Sequence, residues 1–196
     1  RVSNAEHLAM SEDCGIVNLS YFHMVDIEGP DHVELLEWLC AAKIGGDANI
    51  GKGIYTHFLD DEGMVRADFT VFRMADRCRL VNGADAGPRD FHYMKRVAED
   101  RGLNVTITDV SEKFITIGIW GPNARENLKK VVADPAGLDI ENFAFAAIKP
   151  IEIAGKHVTA FRISYVGEQG WELHMKYEDG LAVWDALRAT GVMAFG

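Results

Sequence analysis

Two stretches of the chain share one arrangement of apolar and polar positions. Each begins with a short apolar run, passes through a Gly-Pro pair, and then carries apolar residues three or four positions apart, which is the spacing of one helix face. The pairs are Gly29 with Pro30 and Gly121 with Pro122. Proline suits the first position of a helix because it has no N–H group to leave without a partner. The pattern therefore predicts a strand, a sharp turn and a helix in both places.

The segments that follow these two helices also correspond. Alternating apolar and polar residues predict a series of strands, and a second helical pattern ends each series. The predicted elements are strands at 54–59, 64–74 and 79–81 with a helix near 90–101, and strands at 148–153, 157–165 and 171–175 with a helix near 179–189. This repetition predicts an α+β fold of two related halves, each an antiparallel sheet with helices on one face. We place the halves at roughly 24–107 and 108–196, with residues 1–23 completing the second half.

The composition is that of an ordinary globular domain, and the charge narrows the choice of partners. Of the 196 residues, 48% are hydrophobic and 26% are charged, and the formal net charge is −10. An acidic surface repels phosphate backbones and anionic lipids, so we expect neither a nucleic acid nor a membrane as a partner. No apolar run approaches the ~20 residues that a membrane-spanning helix needs.

The cysteines indicate the cellular compartment of the protein, and the chain ends indicate whether the sequence is a fragment. Cys14, Cys40 and Cys78 lie far apart without a C-x-x-C pair, which favours a reducing compartment over a disulfide framework. We therefore expect a cytoplasmic protein, or one of the mitochondrial matrix if the source is eukaryotic. The chain starts at Arg1 and stops just after a helical pattern, which indicates a fragment of something longer.

The sequence lacks the signatures of several catalytic classes. Its seven histidines are scattered, with no H-E-x-x-H motif and no pair at ligand spacing with a cysteine, so we expect no metal site. There is no G-x-S-x-G nucleophile motif. Gly51 and Gly53 have no third glycine at position 56, so a flavin or nicotinamide site of the Rossmann kind is not expected in this chain.

The predicted strand at 64–74 carries a carboxylate at its middle. One face is formed by Arg66, Asp68, Thr70 and Phe72. The apolar face of the same strand is formed by Val65, Ala67, Phe69 and Val71. Because aspartate is depleted in strand interiors, Asp68 has either a solvated face or a function. Periodicity alone favours a surface aspartate beside Arg66, and the alternative is a carboxylate aimed into a cleft between the halves.

A second informative stretch occupies 162–173, where two glycines three positions apart predict a hairpin turn. Trp171 and Leu173 share the core face, which leaves Glu172 and His174 on the other face. The pattern alone favours a solvated position for these two polar residues.

Tyr55 and His57 share one face of another predicted strand. The simplest interpretation of Tyr55 is a half-buried aromatic of the sheet. That of His57 is a surface histidine.

At these residues the sequence resembles the folate-binding domain of the glycine-cleavage T-protein superfamily. Within it, the resemblance is closest to the folate portion of dimethylglycine and sarcosine dehydrogenases, and it covers nearly the whole chain. The matching segments are 15–20, 28–31, 53–56, 62–68, 120–125 and 162–173. The most specific is the run Y-V-G-E-x-G-W-E-L within the last of these, which indicates the dehydrogenase branch.

The resemblance implies a role for five residues. Asp68 matches the family's key acidic residue beside the reactive folate nitrogens and is the expected catalytic residue. Tyr55 matches an aromatic residue that lines the pterin site, and Tyr165 matches a tyrosine of the same pocket. Glu172 matches the carboxylate that binds the amino-pyrimidine edge of the pterin. Asn82 matches a pterin-contacting asparagine.

The implied activity is tetrahydrofolate-dependent one-carbon transfer by an aminomethyltransferase or demethylase. The donor would be a methylated amine or an aminomethyl group, the product 5,10-methylenetetrahydrofolate, and any FAD would lie on an upstream domain or a partner subunit. One departure is Phe72, where the T-protein usually has a tyrosine, so a contact through that hydroxyl is lost. We expect this chain to lack the small C-terminal β-barrel of the family.

Two alternatives remain open. One is a stand-alone member, either a T-protein or a folate-dependent O- or S-demethylase. Trp171 and the sequence of residues 162–165 argue mildly against a T-protein. The other is a non-catalytic folate-binding assembly protein on the same fold. The K-G-C-Y-x-G-Q-E motif of iron–sulfur-assembly relatives does not occur in the sequence.

Overall fold

The computed structural model describes residues 2–83, 85 and 87–196. Its contacts group into two compact units. The central unit is Tyr21–Ser111, and the flanking unit joins Arg1–Ser20 to Glu112–Gly196.

The helices and strands follow the predicted series. The helices are α1 (Val2–Glu12), α2 (His32–Leu39), α3 (Gly87–Asp100), α4 (Ala124–Lys129) and α5 (Gly180–Ala189). The strands are β1 (Gly15–Asn18), β2 (His23–Glu28), β3 (Lys52–Leu59), β4 (Val65–Arg73), β5 (Arg77–Asn82), β6 (Thr106–Asp109), β7 (Phe114–Trp120), β8 (Ile148–Ile153), β9 (Lys156–Phe161), β10 (Gly170–Lys176) and β11 (Met193–Phe195). In the described part of the chain, every helix is too short or too polar to cross a membrane.

The central unit is a five-stranded antiparallel sheet with two helices against one face. The strand order is β3-β4-β5-β2-β6. Apolar residues of the strands form a core with α2 and α3, where Leu36 and Met94 are fully buried. The apolar positions of α3 recur three or four residues apart, so one stripe of this helix faces the sheet.

The flanking unit is a six-stranded sheet in the order β11-β1-β7-β10-β9-β8. All its pairs are antiparallel except β1 with β11, which is parallel. Its core joins Trp171 and Leu173 of β10 to Leu128 of α4 and Leu187 of α5. The predicted α+β class, with two antiparallel sheets that each carry helices, is confirmed, and the parallel edge pair is the one departure.

The two Gly-Pro turns use the same backbone device. Gly29 has a φ of 110°, and a Cβ added there would lie 2.6 Å from the carbonyl oxygen of Asn104. Gly121 has a φ of 138°, and its Cβ would lie 2.3 Å from the carbonyl oxygen of Asp13. Both positions therefore require glycine for conformation and for space.

The prolines behind these glycines do not begin the helices, as we expected them to. The N-cap residue of α2 is Asp31 and that of α4 is Asn123, so Pro30 and Pro122 each lie one residue before the cap. Aspartate and asparagine are preferred caps because their side chains can accept a hydrogen bond from the first helical turn, but neither Asp31 nor Asn123 makes that bond here.

Candidate functional site

The structure divides the five predicted site residues between the two units. Tyr55, Asp68 and Asn82 belong to the central unit, on β3, β4 and β5. Tyr165 and Glu172 belong to the flanking unit, in the segment after β9 and on β10.

Tyr55 and Asp68 are brought together by the register of β3 and β4. His57 lies opposite Asp68 and Tyr55 opposite Thr70, so Tyr55 is the diagonal neighbour of Asp68 on the same face. The Tyr55 hydroxyl donates a hydrogen bond to Oδ2 of Asp68 at 3.2 Å. Desolvation, and then the negative charge of Asp68 and this bond, raise the pKa of Tyr55 above its ordinary value. Tyr55 therefore remains a hydrogen-bond donor to the carboxylate near neutral pH.

Both members of this pair are exposed. Tyr55 is 54% exposed, close to the half-buried position expected for it, and its ring meets that of His57 edge-on at a centroid distance of 5.5 Å. Arg66 does not pair with Asp68, because its guanidinium lies 4.1 Å from the ring centroid of Tyr93. Asp68 thus presents a carboxylate to solvent with a phenol beside it.

The rest of β4 departs from the predicted alternation. Val65 is 63% exposed although it was placed on the apolar face, and both Thr70 and Phe72 are buried although they were placed on the other face. The reason is pairing: β4 runs along β3 for its whole length but pairs with β5 only from Thr70 to Arg73. The first half of β4 is therefore an edge, and the second half is an interior strand with buried residues on both faces.

Asn82 does not join the Tyr55–Asp68 pair. Asp68 and Thr70 share a face of β4, and Thr70 lies opposite Val81, so the next residue, Asn82, projects from the other face of the sheet. Asn82 is 8% exposed, and its amide oxygen has no hydrogen-bond partner in the part of the chain that the structure describes. A shielded acceptor of this kind is costly unless a donor reaches it. A pterin contact at Asn82 stays a prediction.

Glu172 is the end of a buried hydrogen-bonded chain. Its Oε2 lies 3.0 Å from Nε2 of His174, and Nδ1 of His174 lies 3.0 Å from the Thr116 hydroxyl. Glu172 and His174 are each 2% exposed, and Thr116 is fully buried. The expected solvated position of Glu172 and His174 is therefore wrong.

Large side chains of the neighbouring strands explain this burial. Phe161 of β9 lies opposite Glu172, and Gly118 of β7 lies opposite it on the other side. A Cβ on Gly118 would lie 2.2 Å from the Trp120 ring, so that ring occupies the space a side chain would need. Trp120 is held there by a 2.9 Å bond from its Nε1 to the carbonyl oxygen of Ile163. Sequence reasoning missed Trp120 and Thr116, because their positions depend on register with a distant strand.

Tyr165 lies in the segment between β9 and β10 and is 60% exposed. The predicted strand at 157–165 is too long, since β9 ends at Phe161. Gly167 has a φ of 87°, which fits the predicted turn between the two strands. The structure thus leaves the ring of Tyr165 accessible, as a stacking residue for a ligand must be.

The comparisons with known proteins agree on one family. The family model described as the GCVT N-terminal domain matches residues 1–196. Mitochondrial dimethylglycine dehydrogenase of Rattus norvegicus is 31% identical over 192 residues, which are 97% of this chain and 22% of that protein. An aminomethyltransferase of Listeria welshimeri is 30% identical over 195 residues, which are 98% of this chain and 51% of that protein.

The fold has a close counterpart among solved structures. The glycine cleavage system aminomethyltransferase T from Bartonella henselae superposes with a TM-score of 0.83 at 23% identity, covering 98% of this chain and 50% of that one. The chain belongs to the GCVT N-terminal domain family, and the predicted resemblance is confirmed. It spans about half the length of the aminomethyltransferase relative and about a fifth of the dehydrogenase relative.

Proposed function

We propose, from this family membership, that the chain binds tetrahydrofolate and passes a one-carbon unit to it. The observation that carries the proposal is the exposed carboxylate of Asp68 at mid-strand, hydrogen-bonded by the Tyr55 hydroxyl. Aspartate is depleted in strands, and among the described residues Asp68 forms no ion pair that would account for its place on β4.

The residues present fit the ligand by their chemistry. The 2-amino group and ring N–H of a pterin form a pair of donors, and the carboxylate of Glu172 is a pair of acceptors. Hydrogen bonds to a charged group that is shielded from water are worth about 1.5–3 kcal/mol each. The amide oxygen of Asn82, which has no partner among the described residues, is a further acceptor, and the exposed rings of Tyr55 and Tyr165 offer stacking surfaces.

Asp68 is the proposed catalytic residue. With a methylene-iminium donor, the two N–H nitrogens of tetrahydrofolate bond to the methylene carbon, the carbon–nitrogen bond to the donor breaks, and the donor amine and one proton are released. With an aminomethyl donor, the two hydrogens leave with the ammonia and with the group that carried the methylene carbon. An ionised Asp68 stabilises positive charge near these nitrogens and accepts the released proton. The hydroxyl of Tyr55 donates a hydrogen bond to Oδ2 of Asp68 and so restricts the orientation of the carboxylate.

The donor chemistry lies outside these residues in this proposal. The chain spans 22% of the dimethylglycine dehydrogenase relative, so a flavin domain or subunit that oxidises a methylated amine would be supplied by other parts of the protein or by a partner. The three free, buried cysteines support a reducing compartment, the cytoplasm or the mitochondrial matrix.

The test follows the fate of the one-carbon unit. The full-length gene product that contains this chain is given dimethylglycine or sarcosine with tetrahydrofolate, and 5,10-methylenetetrahydrofolate and free formaldehyde are measured. Asp68→Asn is expected to slow methylenetetrahydrofolate formation by ~10²-fold or more, the usual value of a general base, while amine oxidation continues and formaldehyde accumulates. Asp61→Asn, the same change on the exposed turn between β3 and β4, is the matched control and should behave as the wild type.

Equal rates of methylenetetrahydrofolate formation in Asp68→Asn and Asp61→Asn would remove Asp68 from the reaction. Tyr55→Phe is expected to give a smaller loss than Asp68→Asn, because it removes one hydrogen bond to the carboxylate and leaves the charge in place.

A further inference from the structure

Glu172 has no polar neighbour at the positions directly opposite it. Its cross-strand partner on β7 is Gly118, which has no side chain, and its partner on β9 is Phe161, which is apolar. A carboxylate that is 2% exposed must be hydrogen-bonded to remain ionised. The group that meets this need is the ring of His174, two residues along the same face of β10.

The direction of the bonds follows from their chemistry. An ionised carboxylate only accepts hydrogen bonds, so Nε2 of His174 carries the proton in the 3.0 Å contact with Glu172. Nδ1 then faces the Thr116 hydroxyl at 3.0 Å, which can donate to a neutral ring or accept from a charged one. In both cases the ring holds Oε2 of Glu172. Among the described residues no other side chain bonds this carboxylate, which leaves Oε1 and the remaining lone pairs for a ligand.

The sheet register fixes this arrangement. His174 and Thr116 are direct partners across β10 and β7, so the pairing of two strands sets the position of the hydroxyl relative to the ring. Thr116 is fully buried, and its β-branched side chain has few accessible rotamers. One ring nitrogen of His174 therefore contacts Thr116, and the other contacts Glu172.

We propose that His174 is the positioning residue for Glu172, and that Thr116 fixes the plane of the His174 ring. Through this chain the Glu172 carboxylate is pre-aligned for a planar pair of N–H donors, the 2-amino-pyrimidine edge of a reduced pterin. This inference rests on the proposed folate function and adds to it the part of the ligand that Glu172 recognises. A held carboxylate loses less freedom on binding than a mobile one, so affinity depends on His174 although His174 does not touch the ligand.

The test compares variants that keep or remove the donor at the position of Nε2. Tetrahydrofolate is titrated under anaerobic conditions into the full-length gene product and into three variants. His174→Gln places an amide N–H within similar reach and is expected to bind within about threefold of the wild type, whereas His174→Leu is expected to bind at least about tenfold more weakly. Thr116→Val keeps the shape but removes the hydroxyl, and it is expected to weaken binding by at least about threefold.

A double-mutant cycle separates positioning from general packing. In a Glu172→Gln background the carboxylate is already gone, so Thr116→Val and His174→Leu should weaken tetrahydrofolate binding little further. Thermal unfolding of each variant shows whether it is folded, and Thr116→Val with His174→Gln carries the test if His174→Leu does not fold.

Each outcome decides something. Rescue by glutamine together with non-additivity supports the inference. Wild-type affinity in His174→Leu, or equal losses in both backgrounds, overturns it while the folate proposal stands. Absence of saturable binding by the wild type overturns the proposed function and this inference together.

Discussion

Replacing Asp26 by asparagine is expected to cost the protein about 3–5 kcal/mol of its free energy of unfolding. Asp26 of β2 and Arg79 of β5 are direct partners in the register of the central sheet. Nε and Nη2 of Arg79 donate to the two oxygens of Asp26 at 2.6 and 2.8 Å. Asp26 is 8% exposed and Arg79 is 4% exposed, so both charges are shielded from water.

The magnitude follows from what the variant leaves behind. Asparagine has the shape of aspartate, so no cavity forms, and the loss reflects the charge. Arg79 remains buried and cationic after the charged acceptor of its Nε and Nη2 groups is lost, and breaking a buried pair in this way is costly. Arg77 adds to this, because its Nε lies 4.0 Å from the same carboxylate. At about 2–4 °C per kcal/mol for a protein of this size, the midpoint of thermal unfolding should fall by roughly 6–20 °C.

Urea unfolding followed by circular dichroism measures the loss. The matched control is Lys129→Met, which removes an ion pair of similar length, 2.7 Å to Asp139, between side chains that are 25% and 41% exposed. Exposed pairs contribute little, so the control should lose only a small fraction of what Asp26→Asn loses. Losses of equal size in the two variants would refute the argument that the Asp26–Arg79 pair is a shielded charge pair.

Two further predictions concern the turn and the thiols. A disfavoured φ costs ~1–3 kcal/mol, and Gly121→Ala should destabilise the protein by more than this because the new Cβ also meets the Asp13 carbonyl. In Gly155→Ala the added Cβ meets nothing within 4 Å, so the loss of stability should equal the backbone strain alone. Burial raises the pKa of the cysteine thiols, so none should react with a thiol reagent at pH 8 until the protein unfolds, and rapid labelling of the native protein would contradict this. The raised values are about 12 for Cys14, about 12 for Cys40 and about 11 for Cys78.

The fold could be predicted largely because the sequence repeats its element series. Each Gly-Pro turn carries a glycine whose φ is positive and whose Cβ position is filled by backbone, so the two turns are marked by residue type alone. Burial within the strands could not be predicted in the same way. Alternation reports the polarity of a face, whereas the burial of Thr70 and Phe72 depends on where β5 begins to pair with β4.

The candidate site shows the same division. The family resemblance assigns Tyr55 and Asp68 to one site, and the hydrogen bond between them follows from the antiparallel register of two neighbouring strands. The alternation of side chains along β10 predicts that Glu172 and His174 share one face, but Thr116, the partner of His174, lies 58 residues away in the sequence. No local pattern links these two positions, and only the pairing of β7 with β10 brings them together.

Calorimetric titration of tetrahydrofolate into the full-length gene product, under anaerobic conditions and beside a Glu172→Ala variant, tests the central claim most directly. The wild type is expected to bind saturably and the variant to bind at least tenfold more weakly, since losing a shielded pair of charge-assisted hydrogen bonds costs more than about 1.4 kcal/mol. Failure of the wild type to bind, or equal affinity in the two proteins, would contradict the assignment of Glu172 to the pterin.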